Sequence, residues 1–160
     1  MMKENELISC ENSVEKQAEG QGSFLLERFL KAQRWMYAQA LEELKGGQKV
    51  SHWIWYIFPQ LKGLGASPNS RYYGVEGKEE ARAYLYHPVL GERLREVTSV
   101  LLSLEGKDVR DIFGDLDAMK VRSCMTLFNE VAEDDLFQQV LDRCYAGSAD
   151  MYTLELLKRM

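Results

Sequence analysis

Residues 23–47 read SFLLERFLKAQRWMYAQALEELKGG, and this stretch decides the fold. Its apolar residues recur every three or four positions, the spacing that places side chains on one face of an α-helix. They are Leu26, Phe29, Leu30, Tyr37, Ala40, Leu41 and Leu44. Ser23 belongs to the residue types that cap helix N-termini, and Gly46–Gly47 is typical of a helix end. The stretch therefore predicts one long amphipathic helix.

The same periodicity predicts further helices along the chain, joined by short connections. They cover residues 78–86, 88–105, 115–131, 135–145 and 150–158, with a brief turn over residues 108–113. Residues 51–58 are ambiguous: their aromatic and β-branched content favours a strand, whereas Ser51 as a cap and Pro59 as a stop favour a short buried helix. The whole pattern predicts an all-α fold, a single compact domain of about seven or eight helices over residues 23–160.

Two segments lack this helical period. Residues 60–77 contain four glycines, two serines, Pro68 and Asn69 and predict one long Gly-rich loop, of the kind that often carries function. Residues 1–22 are polar, with no sustained apolar period, and predict a disordered N-terminal tail. We therefore expect the domain to begin near Ser23.

Charge and composition argue against several classes of function. The net charge is −5 and no window gathers a cluster of Lys and Arg, so nucleic acid is not expected as a partner. The longest apolar run covers only residues 53–58, whereas a membrane-spanning helix needs roughly 20 apolar residues. Three cysteines without a Cys-x-x-Cys pair indicate free thiols in the cytoplasm. Cysteines and histidines show no zinc-like spacing, so neither a metal nor another cofactor is expected.

Polar residues on stripes that should be apolar indicate where a functional site could lie. Gln33 lies between Leu30 and Tyr37 on the inward stripe of the first helix. Burial would remove water from its amide, so the amide needs a hydrogen-bond partner. That partner is either the backbone of a neighbouring segment or a ligand.

Lys120 is the second polar residue on an apolar stripe. The stripe also contains Leu116, Cys124, Leu127 and Val131. The ammonium group either snorkels to solvent, pairs with Asp117 one turn earlier, or faces a cavity. In a cavity it could hold a phosphate or carboxylate, or act as an acid or base. Ser123, one turn later, would lie near it.

Three further candidates flank the aromatic run and the loop. His52 and Gln60 stand just outside the aromatic run, where their hydrogen-bonding edges could meet a ligand. Ser67 follows Gly63-x-Gly65, which lacks the third glycine and the strand–helix context of a dinucleotide site and is more typical of a flexible turn. We expect His87 to cap a helix.

Several of these motifs together resemble a bacterial domain-of-unknown-function family numbered 1810, over about residues 24–158. The motifs are FLKAQ (29–33), SHWIWYIFPQ (51–60), GLGAS (63–67), YLYHPVLG (84–91), DAMK (117–120) and TLF (126–128). The resemblance implies a compact, mostly α-helical fold and the helical alternative for residues 52–58, but it brings no activity. The family usually has two serines where this chain has Ser123–Cys124, so a role for the second hydroxyl does not carry over.

Two hypotheses of function follow. In the first, one pocket for a small, anionic, nucleotide-like molecule is lined by Gln33, His52, Gln60, Ser67, Lys120 and Ser123. If the protein is a hydrolase, His52 is the candidate for proton transfer and Lys120 for charge stabilisation. In the second, the protein is a protein–protein interaction module with a flat aromatic patch, and Lys120 only pairs with Asp117. The residues leave open whether the protein is an enzyme.

A fainter similarity of style connects the chain to proteins that act on N-glycosidic bonds of ADP-ribose-like compounds. They also pair a helical scaffold with an aromatic, Gln-bearing segment. No residues align one by one, so this similarity transfers no catalytic role and stays a second alternative.

Overall fold

The structure is a computed structural model that describes residues 24–160. The predicted tail of residues 1–22 and the predicted Ser23 cap lie outside the described residues. The described residues form nine helices: α1 Glu27–Lys45, α2 Ile54–Ile57, α3 Pro68–Tyr72, α4 Lys78–Leu85, α5 Leu90–Ser103, α6 Val109–Phe113, α7 Asp115–Asn129, α8 Leu136–Cys144 and α9 Met151–Lys158. The predicted all-α fold is confirmed. None of these helices is both long enough and apolar enough to cross a bilayer.

Helices α1 and α7 make most of the contacts between helices around one hydrophobic core. Helix α1 packs against α2 and α5, and α7 packs against α2, α4, α6, α8 and α9. The inward face of α1 buries Phe29, Leu30, Gln33, Ala40 and Leu44. On the outer face of the same helix, Trp35 is 84% exposed.

The ambiguous segment forms helix α2 and not a strand. Trp53 and Phe58 at its ends are fully buried and meet the Phe113 ring edge-on, with centroid distances of 6.4 and 5.8 Å. Glu43 of α1 holds the segment, because its carboxylate accepts hydrogen bonds from Ser51 N at 2.9 Å, Ser51 Oγ at 2.7 Å and Trp53 Nε1 at 2.8 Å. Burial raises the pKa of Glu43, but hydrogen bonds led by those from Ser51 outweigh it and hold the pKa well below its usual range.

Two short helices are absent from the sequence prediction. Helix α3 lies inside the segment predicted to be one long loop, and α6 replaces the predicted turn over residues 108–113. Each begins at a capping residue: Ser67 Oγ accepts from Ser70 N at 3.1 Å, and Asp108 Oδ1 accepts from Arg110 N at 2.8 Å. Both helices have five residues, too few to show an apolar period, which is why periodicity misses them.

Arg28 holds the chain after α3 against α1. Its guanidinium donates to Tyr72 O at 2.7 Å, to Gly74 O at 2.9 Å and to the Glu80 carboxylate at 2.9 Å. The side chains of Arg28 and Glu80 are 9% and 2% exposed, so this ion pair is buried. A Cβ added at Gly74 would lie 2.6 Å from Lys62 Cβ, so this position leaves no room for a side chain. Residues 61 and 75, at the two ends of the segment, form an isolated parallel bridge.

The prediction that His87 caps a helix is confirmed. Its Nδ1 accepts hydrogen bonds from Val89 N and Leu90 N, both at 3.1 Å. Helix α5 therefore begins at Leu90, two residues after the predicted start at Pro88. A ring nitrogen that accepts carries no proton, so the imidazole is neutral. Burial, with a smaller contribution from the charge of Arg93, lowers the pKa of His87 to about 4.

We expect the pKa of His87 to make stability pH-dependent between pH 6.5 and about 4. In this range the unfolded chain binds a proton that the folded protein excludes. The contribution of His87 to the free energy of unfolding is therefore fully present above pH 6.5 and falls by about 3 kcal/mol toward pH 4. His87→Asn should remove this part of the pH dependence, as measured by urea denaturation from pH 4 to 7.5. His52→Asn is the matched control, and its profile should follow wild type; a parallel profile for His87→Asn would contradict the assignment.

Gly91 allows the first turn of α5 to pass close to the end of α4. A Cβ added there would lie 1.8 Å from the backbone oxygen of Leu85. We expect Gly91→Ala to lower the free energy of unfolding by about 3 kcal/mol or more, although alanine favours helices. Gly46→Ala is the control, since a Cβ there comes no closer than 3.5 Å to its neighbours. Equal denaturation midpoints for the two variants would disprove the steric explanation.

Candidate functional site

A cavity of about 650 Å³ opens between three parts of the chain that are distant in sequence. One wall comes from the segment around α2 and α3: Trp55, Gln60, Leu61, Leu64, Tyr73 and Gly74. The second comes from the first half of α7: Leu116, Met119, Lys120, Arg122 and Ser123. The third comes from α9 and its flanks: Asp150, Tyr152, Glu155, Leu156 and Arg159. A volume of this size is typical of small-molecule sites.

Three of the six predicted site residues line this cavity, namely Gln60, Lys120 and Ser123. The other three, Gln33, His52 and Ser67, are not on its walls. The six side chains therefore do not converge as the pocket hypothesis required.

Gln33 is in the core and finds its partners there. Its Nε2 donates to Tyr56 O at 2.7 Å and to Tyr84 Oη at 2.9 Å, and its Oε1 accepts from Arg93 at 3.4 Å. The side chain is 1% exposed. The sequence predicts that Gln33 binds either the backbone of a neighbouring segment or a ligand. In the structure it binds the backbone of a neighbouring segment.

His52 and Ser67 serve elsewhere. His52 is exposed, and its backbone oxygen accepts a hydrogen bond from Tyr56 Oη at 3.3 Å. Ser67 caps helix α3. The cavity therefore has no imidazole on its walls, and the predicted combination of His52 for proton transfer with Lys120 for charge stabilisation is not assembled there.

Lys120 both pairs with Asp117 and faces the cavity. Its Nζ lies 3.0 Å from Asp117 Oδ1 and 4.5 Å from the centroid of the Trp55 ring. Asp117 also binds Lys49 at 2.8 Å, so two ammonium groups share one carboxylate. Burial raises the pKa of Asp117, but the hydrogen bonds from Lys49 and Lys120 outweigh it and lower the pKa.

Asp150 is the carboxylate that the sequence reasoning missed. Its Oδ2 accepts from Ser123 Oγ at 2.7 Å and from Thr153 Oγ1 at 2.5 Å, and its N–H donates to Thr126 Oγ1 at 2.9 Å. Arg122 fixes the residues just before it, with hydrogen bonds to the backbone oxygens at 148 and 149. The available signal was a capping residue at the start of the last predicted helix.

Gln60 has an unmet hydrogen bond. Its Nε2 is buried and has no acceptor among residues 24–160. Leaving such a donor without a partner costs about 1–3 kcal/mol.

Part of the rim of the cavity is apolar. Leu116, Met119 and Tyr152 lie there and are between 64% and 80% exposed. This corrects the predicted stripe of α7: Cys124, Leu127 and Val131 are buried, but Leu116 is not. The reason is that the first turn of α7 projects beyond the core toward the cavity. In the described part of the chain, no group of three or more His, Cys, Asp or Glu side chains is placed to hold a metal ion.

Comparisons with known proteins agree with this fold. A family profile described as "Protein of unknown function (DUF1810)" matches residues 23–157. The crystal structure of the conserved hypothetical protein Rv1873 from Mycobacterium tuberculosis is 42% identical in sequence, with a TM-score of 0.83. The match covers 85% of this chain and 98% of that one. No curated protein matches the chain. Neither description names a ligand or a reaction.

We expect Asp117→Asn to lower the free energy of unfolding by about 3 kcal/mol, because Lys49, 8% exposed, then keeps a charge without a carboxylate. Adding Lys49→Met should recover part of the loss. Chemical denaturation of both single variants and the double variant gives the coupling energy. Asp134→Asn breaks the more exposed pair with Arg95 and should cost less than about 1 kcal/mol. Strict additivity of the two changes would rule out the shared network.

Proposed function

Since the chain belongs to the family described as "Protein of unknown function (DUF1810)", we propose its function from the cavity itself: it binds a small molecule that carries an anionic group. The observation that carries the proposal is the position of the Lys120 ammonium on the cavity wall. An ammonium has three N–H donors, and among residues 24–160 only Asp117 accepts one from Lys120. Since Asp117 is shared with Lys49, its charge does not neutralise both lysines.

Apolar side chains elsewhere on the cavity walls support a ligand with a planar, apolar part. Trp55 and Tyr73 offer aromatic surface, and Leu61 and Leu156 offer aliphatic surface in the same cavity. A cation can hold the phosphate of a nucleotide, and an aromatic ring can stack on its base. The proposed ligand is therefore nucleotide-like.

The free thiols of Cys124 and Cys144 support a cytoplasmic location.

A second candidate function uses the rim instead of the interior. Leu116, Met119 and Tyr152 form an exposed apolar group, and such groups often bind other proteins. In that function a partner chain covers the mouth of the cavity. Replacement of the rim residue Met119 by Lys would then abolish binding of the partner, whereas it would leave a small anion bound inside.

We expect AMP, ADP-ribose or inorganic phosphate to raise the melting temperature of the full chain in proportion to the logarithm of the probe concentration. Lys120→Ala removes a charge-assisted hydrogen bond worth about 1.5–3 kcal/mol, so it should weaken binding by about tenfold or more. The measurement is a thermal-shift titration, confirmed by calorimetry.

Lys78→Ala is the matched control. Lys78 also forms an ion pair, with Glu130 at 3.8 Å, but it does not line the cavity. Its titration should follow wild type. An equal shift for wild type and Lys120→Ala would remove Lys120 from the site, and the absence of any shift would overturn the proposal.

A further inference from the structure

We infer that the ligand carries hydroxyl groups beside its anionic group, as a sugar phosphate does, and that Asp150 receives them. The inference rests on the proposed function and narrows it to a class of ligand. It rests on the Asp150 carboxylate, which lines the cavity and is held by two hydroxyl groups and not by a cation among residues 24–160.

Asp150 has acceptor capacity that the protein leaves unused. Its Oδ2 accepts from Ser123 and Thr153, whereas its Oδ1 accepts from no side chain or backbone group of residues 24–160. No Lys or Arg among those residues forms an ion pair with it, although Arg159 on the same wall pairs with Glu155 at 3.4 Å. A carboxylate with a free oxygen on a cavity wall accepts hydrogen bonds from whatever donor enters.

The orientation of Asp150 is set before any ligand arrives. Two hydroxyls hold its Oδ2, Thr126 holds its N–H, and Arg122 holds the backbone just before it. Binding of a ligand therefore costs little conformational entropy at the Asp150 side chain.

Two polar groups on the cavity walls select the kind of ligand. Lys120 lies on α7, and Asp150 is held by Ser123, one turn later on the same helix. A ligand that contacts both presents an anionic group to Lys120 and hydrogen-bond donors to Asp150. The phosphate and ring hydroxyls of a pentose phosphate meet this requirement, and inorganic phosphate does not. The aromatic wall formed by Trp55 and Tyr73 would then take the base of a nucleotide.

The test compares AMP, 2′-deoxy-AMP and 3′-deoxy-AMP by calorimetry on the full 160-residue chain. Loss of at least one hydroxyl should weaken binding to wild type by about tenfold, since a charge-assisted hydrogen bond is lost. In Asp150→Asn the three nucleotides should bind within about twofold of one another, because the acceptor facing the hydroxyls has lost its charge. If the effect of removing a hydroxyl from the nucleotide depends on whether residue 150 is Asp or Asn, that hydroxyl contacts Asp150.

Asp135→Asn is the matched control, because Asp135 also stands at a helix N-terminus, that of α8, but does not line the cavity. It should keep the wild-type ratios. The comparison of the deoxy nucleotides on wild type needs no variant, so it holds even if Asp150→Asn folds poorly. Phosphoethanolamine, an anion with an ammonium in place of hydroxyls, should bind more weakly than AMP.

The outcomes separate the two proposals. Equal affinities of wild type for AMP and both deoxy forms would overturn the hydroxyl site and leave the anion site standing. Tighter binding of phosphoethanolamine than of AMP would assign Asp150 to an ammonium group and overturn the inference likewise. The absence of binding by every probe would overturn both.

Discussion

The guanidinium group of Arg28 is the constraint on which the cavity depends. It donates to two backbone oxygens at the end of α3 and just after it, and it forms a buried ion pair with Glu80. A buried ion pair adds little stability over apolar residues of the same volume, but loss of one partner leaves the other charge unpaired. The main effect of this ion pair is therefore to fix the position of the neighbouring chain. It fixes Tyr73 and Gly74, and with them one wall of the cavity.

Ion pairs and hydrogen bonds also fix the charged groups that face the cavity. Lys120 is held by Asp117 and by the face of Trp55, and Asp150 is held by two hydroxyls. Most of the entropic cost of ordering these side chains is thus part of folding and not of binding. The result is a cavity with an ammonium group and a carboxylate acceptor on its walls, both held by helix α7 and its contacts.

The sequence predicts those parts of the fold that depend on local period. Helices α1 and α7 follow from it, as does the cap at His87, whereas the five-residue helices do not. The candidate site is harder, because Gln33 and Gln60 look alike in sequence and differ only in their partners. Asp150 reaches the cavity through contacts with residues 24 and 27 positions earlier, and no local pattern encodes that approach.

The placement of the three tryptophans has a consequence for spectroscopy. Trp35 is in solvent, Trp53 is fully enclosed, and Trp55 lies beneath an ammonium group on the cavity wall. Indole emission depends on polarity and on nearby charge, so the three rings emit under three distinct conditions. The chain therefore carries its own fluorophores at the surface, in the interior and at the mouth where a guest would enter, and occupancy and unfolding acquire separate optical signatures without a dye.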